Sequence, residues 1–302
     1  MSSCRDAVSE ALRGNGLWWY TGLARHLAGM QWRALADRGI DPGTYGTERV
    51  LDARAPLPSR REWLHSTGRR IAVEPFGSAM AQRYDPLGVS PLDNDALIAS
   101  AGVRLEEALA LIATVPGMSS AVEYLVQSVH LIPTDGPEYD ASYSDPDVPF
   151  SIFLGIHSGN GTVDRLRLAE SIVHETMHLQ LTLIESVVPL VSSDTTSGYS
   201  PWQGRQRPAQ GLLHGLYVFR CIQDFLEAID PERIDDEGVV HIERRIALIV
   251  EECAQLADLG RSSGLTDEGR RLASRLLRNA GRRRYHAAGD GDPAFVEPAA
   301  GC

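Results

Sequence analysis

The chain has 302 residues, 43% of them hydrophobic and 23% charged, a balance that allows a sizeable buried core. Its formal net charge of -11 at pH 7 argues against nucleic-acid binding, and no apolar run reaches the roughly 18 residues of a membrane span. All 29 basic residues are arginine, which excludes a Schiff-base lysine and a lysine-bearing phosphate loop and leaves any bound anion to a guanidinium fork.

The opening Met1-Ser2-Ser3-Cys4-Arg5-Asp6 has no basic region followed by an apolar core, so it reads as no secretory signal. Cys4, Cys221, Cys253 and Cys302 are scattered and read as free thiols of a reducing cytoplasm. Residues 4–38 read as helical through Trp18, Trp19, Leu23, Leu27 and Trp32, with Gly39 as the stop. Residues 40–62, rich in Pro, Gly and Arg, read as loop. A second helix is expected over 94–114 (Leu97, Ile98, Val103, Leu105, Leu109, Leu111, Ile112), ended by Pro116-Gly117. The runs Val126–Ile132 and Val148–Ile156 read as two neighbouring strands joined by an acidic loop carrying Tyr139, Asp140 and Tyr143.

Asn160-Gly161-Thr162 signals a turn and helix start, with Asp164 in the first turn of a helix over 163–186. A Ser/Thr/Gly loop is expected over 190–206, then helices over 209–229, with Pro208 at its start, 239–258 and 266–280. From Ala287 the composition turns to Gly, Ala, Pro and Asp and reads as a disordered tail. The expected organisation is a helical region over 1–120, a catalytic region over 121–286 and a tail over 287–302, or one compact domain overall. The fold class is mostly α with a small β-sheet, α+β, in which a metal-binding helix packs beside a short strand pair.

The chemistry concentrates in His174-Glu175-Thr176-Met177-His178. Two histidines four apart on a helix share one face, roughly 6 Å apart along the axis, which suits two imidazoles converging on a divalent metal. The apolar residues Val163, Leu166, Leu168, Ile172, Val173, Met177, Leu179, Leu181, Leu183 and Ile184 nearly encircle the helix, so its histidines must be hydrogen-bonded or metal-bound. A third histidine, His214, falls early in the helix after Pro208. Glu175 has two readings, as general base on a metal-bound water or as a carboxylate that orients a ligand. A zinc peptidase would need a further ligand: no glycine and third histidine follow closely after His178, and Glu227, Glu251 and Glu252 are the carboxylates that could serve. His130, His157, Trp202 and Tyr217 are read as packing or hydrogen-bonding residues before any site role.

The metal-motif helix and the block Tyr199-Ser200-Pro201-Trp202-Gln203-Gly204-Arg205-Gln206-Arg207-Pro208 running to Gly211-Leu212-Leu213-His214-Gly215 resemble a bacterial family of HExxH-motif peptide-modification proteins. That family is described as iron- and 2-oxoglutarate-dependent peptide β-hydroxylases found near genes for ribosomal peptide natural products. The resemblance covers about 60 residues including the intervening loop. It implies His174, His178 and His214 as ligands of Fe(II), with 2-oxoglutarate and dioxygen as cosubstrates and a precursor peptide as partner. Arg207 and Arg205 are the candidates for the distal carboxylate of 2-oxoglutarate, since arginine grips carboxylates bidentately. The chain departs from the expected pattern at Gln203, where an arginine is expected after the tryptophan. The alternatives from the residues alone are a zinc peptidase with Glu175 as base and a non-catalytic peptide-binding protein; neither a nucleic acid nor a membrane is an expected partner.

Overall fold

The protein is described by a computed structural model covering residues 4–14, 19–57, 62–65, 70–134, 136, 140–192 and 196–279. Trp18, Tyr139 and the expected tail from Ala287 lie outside the described residues. The elements run α1 (Cys4–Arg13), α2 (Thr21–Ala36), α3 (Thr47–Leu51), β1 (Glu62–His65), β2 (Arg70–Val73), α4 (Ser78–Tyr84), α5 (Asp95–Ile112), α6 (Pro116–Leu125), β3 (Ser128–Ile132), β4 (Ser142–Ser144), β5 (Ser151–Gly155), α7 (Thr162–Val187), β6 (Ser197–Ser200), β7 (Arg205–Pro208), α8 (Ala209–Ala228), α9 (Asp236–Ala254) and α10 (Asp267–Asn279). The fold is α+β: helices dominate, beside a five-stranded sheet of order β1-β2-β3-β5-β4 and a two-stranded hairpin β6-β7. No described helix is long and apolar enough to cross a membrane.

Two compact units emerge, Ala24–Leu179 and Met1–Leu23 with Gln180–Cys302, counted over their described residues. The division falls inside α7. The first unit holds the five-stranded sheet. β3 and β5 pair in parallel and are buried along their whole length, as a strand covered on both faces must be. β4 runs antiparallel to β5 and forms one edge. Phe150, just before β5, adopts φ 67, a left-handed conformation rare for a bulky residue. Its carbonyl there accepts from both Gln127 N (2.8 Å) and Ser128 N (3.0 Å), while its ring stacks on Trp32 at 4.4 Å. The second unit packs the β6-β7 hairpin, α9 and α10 against α8.

The structure corrects several expectations. The loop over 40–62 contains α3, whose Glu48 caps α4 by accepting Ala79 N (3.1 Å) and Met80 N (2.8 Å). Short helices and short strands such as β1, β2 and β4 carry too little periodicity to announce themselves. Pro116-Gly117 does not merely end α5: Pro116 opens α6, in the first-turn position where its missing N–H costs nothing. The loop over 190–206 contains most of the β6-β7 hairpin, closed by Gly204 at φ 62. Gly39 does stop α2, in a left-handed conformation at φ 74.

A polar cluster lies buried beneath the sheet. His130 is fully buried, with Nε2 on Thr47 Oγ1 (2.7 Å) and Nδ1 on the Glu74 carbonyl (2.9 Å). Thr47 Oγ1 also meets Ser151 Oγ (2.7 Å), which meets the Tyr45 hydroxyl (2.7 Å). Burial pushes the His130 pKa down to about 4, against a smaller opposing effect of the Glu74 carbonyl. The unfolded chain therefore binds a proton that the folded chain refuses between pH 6.5 and about 4. Stability should be full above pH 6.5 and fall by up to about 3 kcal/mol as pH drops through that window. Urea unfolding at pH 7.5 and pH 4.5 should show this loss in the native chain and a smaller one in His130→Gln.

Candidate metal centre and the hairpin beside it

From Ala169 to Leu181 every residue of α7 is buried except His174 and His178. The two imidazoles stand one turn apart, ring centroids 4.8 Å and planes at 63°. The turn before the helix is fixed by Asp164, whose carboxylate accepts Gly161 N at 3.0 Å, and by Arg104, which donates to the carbonyls of His157, Ser158 and Gly159. The expected start and its acidic first turn are thus both present. The position of each histidine on the helix follows from periodicity alone: the apolar positions claim the rest of the circumference.

Glu175 follows His174 by about 100° of helix rotation and is 2% exposed. Its Oε1 accepts the Ser142 hydroxyl of β4 at 2.6 Å and lies 3.8 Å from His174 Nε2. A carboxylate this buried needs such a donor, because burying a polar group without a hydrogen bond is costly. Tyr143, next on β4, packs on Phe153 with ring centroids at 5.7 Å. Asp140 pairs with His157 Nε2 (2.9 Å) and Arg167 Nε (3.2 Å).

His214 lies in the second turn of α8. Its Nε2 meets Glu185 Oε2 at 3.0 Å, and Gln210 Nε2 donates to the same oxygen at 3.1 Å. The His214 and Glu185 side chains are 14% and 15% exposed. Glu185 follows His178 by seven residues, two turns and about 10 Å further along α7. Among the described residues, no group of three or more His, Cys, Asp or Glu side chains is gathered to hold a metal ion. His174 and His178 form a two-imidazole donor pair, and His214 sits in a separate hydrogen-bonded group with Glu185 and Gln210.

The block before His214 is a seat for the hairpin on α8. Two glycines one turn apart make the room. A Cβ on Gly211 would lie 2.8 Å from the Arg207 guanidinium carbon, and one on Gly215 would lie 2.5 Å from the Trp202 ring. Trp202 stacks on Phe219 at 4.7 Å and donates from Nε1 to Glu252 at 2.9 Å. Its role is packing, and Glu252 is thereby engaged; burial raises the pKa of that carboxyl, against the pull of Arg245 and Trp202. Glu227 accepts Gln223 Nε2 at 2.8 Å, and Glu251 is exposed. Tyr217 is buried and accepts Gln180 Nε2 at 2.6 Å, again a packing position.

Arg207 is half-buried against the first turn of α8 and has no acidic partner among the described residues. Burial, and next the neighbouring Arg205, lower its pKa. Arg205 is exposed and donates from Nε to Gln203 Oε1 at 3.0 Å. An arginine at position 203, as the resemblance leads one to expect, would instead set two cations face to face there.

Ser142, Glu185 and Gln210 escaped the sequence reading. Glu185 carried one usable signal: eleven residues after His174 and seven after His178, it shares their helix face. Gln210 precedes His214 by one turn. Ser142 lay in an apparent loop and carried none. Compared with protein-family models and with curated proteins, the chain matches none.

The close fit of Trp202 over Gly215 yields a prediction. Gly215→Ala must displace the ring or α8, and should cost about 1–3 kcal/mol in urea unfolding, whereas Gly204→Asn at the hairpin turn should stay within about 1 kcal/mol, since asparagine tolerates that conformation.

Proposed function

We propose that the chain is a non-haem iron, 2-oxoglutarate-dependent oxygenase that hydroxylates a side-chain β-carbon of a ribosomally made precursor peptide in the cytoplasm. The observation that carries this reading is Arg207: a half-buried guanidinium without an acidic partner among the described residues, at the start of the helix that bears His214. A cation in that setting calls for an anion, and a carboxylate matches its planar fork. The positive end of the α8 dipole adds to the attraction.

His174 and His178 would offer two neutral imidazoles to the metal, which suit iron(II) and zinc alike, and the family resemblance alone adds His214 as the third ligand. The α7 pair is the only break in thirteen otherwise buried positions, which fits a site that admits a small ligand while excluding bulk water. Bound there, iron(II) with 2-oxoglutarate would supply the activation of dioxygen needed to oxidise an unactivated C–H bond. Arg207 holds and orients the distal carboxylate of the keto acid, with Arg205 adding charge at the rim. Glu175, anchored by Ser142, keeps a fixed carboxylate beside His174 and restrains that ring. The outward main-chain groups of the edge strand β4, which carries Ser142, offer an extended peptide a ladder to pair with.

A second reading, a zinc peptidase, draws on the 3.8 Å approach of Glu175 Oε1 to His174 Nε2, which places a carboxylate near the imidazole pair as a general base requires. The two readings separate cleanly. With iron(II), ascorbate and 2-oxoglutarate the protein should form succinate and add one oxygen to the mass of a precursor peptide. Arg207→Ala should raise KM for 2-oxoglutarate about 10-fold to 100-fold with a smaller effect on kcat. Peptide-bond cleavage without dioxygen or 2-oxoglutarate, abolished in Glu175→Gln, would replace this function by the peptidase.

A further inference from the structure

A basic cavity opens beside α10, within the second unit. It holds about 500 Å3 and is walled by the end of α1, the short turn at Gly260 and one face of α10. Five arginines line it, Arg13, Arg270, Arg271, Arg275 and Arg278, against two acids, Asp267 and Glu268. Both acids are already engaged: Glu268 pairs with Arg13 and with Arg271, and Asp267 pairs with Arg270. Arg275 is buried and donates to the Leu12 carbonyl and, at 2.6 Å, to the Tyr20 hydroxyl. Arg278 is exposed and has no acidic partner among the described residues. Arg271, Arg275 and Arg278 follow one another at four and three residues on α10, the spacing at which like charges share a helix face and repel. A row of cations kept at that spacing attracts anions to the cavity. The sequence extends the same bias: from Gly269 to Gly289 it carries seven arginines and no acidic residue, in a chain of net charge -11.

We infer that this cavity docks an acidic peptide segment, whose carboxylates pair with Arg278, Arg271 and Arg13. A guanidinium fork matches a carboxylate with two parallel hydrogen bonds. Arg13 and Arg271 share the single carboxylate of Glu268, so a second carboxylate in the cavity gives each cation a partner of its own. The charge of the remaining chain decides which kind of anion fits. A long polyanion, such as a nucleic acid or an anionic membrane, would extend over the acidic remainder of the surface and be repelled there. A short acidic segment is confined to the basic face and escapes that repulsion. That the segment belongs to a peptide rests also on the proposed function; the cation cluster itself does not.

The test is fluorescence anisotropy on the full chain with a labelled peptide of alternating Glu and Gly, beside its Gln-Gly counterpart. The acidic peptide should bind saturably and more weakly as salt is raised, and the neutral one should not bind. Arg278→Gln should weaken binding about 3-fold, and the double substitution Arg271→Gln with Arg278→Gln about 10-fold. The urea midpoint of Arg278→Gln should be unchanged, since that side chain is exposed. Arg278→Glu should weaken binding further than Arg278→Gln does. Equal binding of the two peptides, or an affinity for the acidic one untouched by these substitutions, would overturn the inference. So would a single-stranded oligonucleotide or a phosphatidylglycerol vesicle that binds more tightly than the peptide and is lost in the double variant, because the cluster would then serve a different polyanion. Neither metal nor 2-oxoglutarate enters the measurement. A chain that docks the acidic peptide yet forms no succinate keeps this surface and loses the proposed oxygenase, and a chain that forms succinate without docking the peptide keeps the oxygenase and loses this surface.

Discussion

The burial of α7 is the constraint on which the candidate site depends. Eleven of the thirteen residues from Ala169 to Leu181 are buried, including Glu175, Thr176 and Gln180, which each find a hydrogen-bond partner. A helix packed on nearly every side cannot shift or rotate without breaking those bonds and opening voids. The two positions left over are held in register by everything around them, and both are histidine. That is how an apolar sequence pattern becomes a rigid pair of nitrogen donors. The same packing sends Glu175 inward, where Ser142 of the edge strand anchors it, so the motif's acidic residue is fixed by the sheet while its two histidines stay partly exposed.

The second half of the sequence motif works through space left empty. Gly211 and Gly215 lie one turn apart on α8 and admit a guanidinium and an indole that any larger residue would push away. Trp202 anchors the hairpin by stacking on Phe219 and donating to Glu252. Arg207 is thereby delivered to the helix start with its charge uncompensated by any described acid. Read in this way, the run from Trp202 to Gly215 is one device: two glycines that admit a strand, an indole that pins it, and a cation that the pinned strand presents. The tight spacing of these residues reflects steric fit as much as chemistry.

Long periodic elements were legible in the sequence, and short ones were not. α5, α7, α8, α9 and α10 each span three turns or more, so their apolar spacing repeats often enough to locate them within a few residues. β3 and β5 announce themselves as apolar runs bounded by turn residues. α3, with five residues, repeats nothing, and the hairpin strands β6 and β7 are polar and mostly outside the core. At the site, His174, Glu175 and His178 were readable because helical geometry fixes their relation whatever the fold does. His214 and Arg207 stand out in the sequence only through the company they keep in the resembling block. Glu185 and Ser142 act through tertiary contact with residues 29 and 33 positions away, and no local pattern encodes that.

The central claim is that the α7 imidazole pair takes part in binding an iron(II) that 2-oxoglutarate also ligates. The most direct measurement is an anaerobic iron(II) titration of the metal-free protein, with and without 2-oxoglutarate, following the weak visible charge-transfer absorption of the chelated keto acid. The account predicts a band that requires both components, saturates at one iron per chain, and is absent in His174→Ala and His178→Ala. A band unaffected by either substitution, or none at all from a chain that binds zinc tightly, would contradict it.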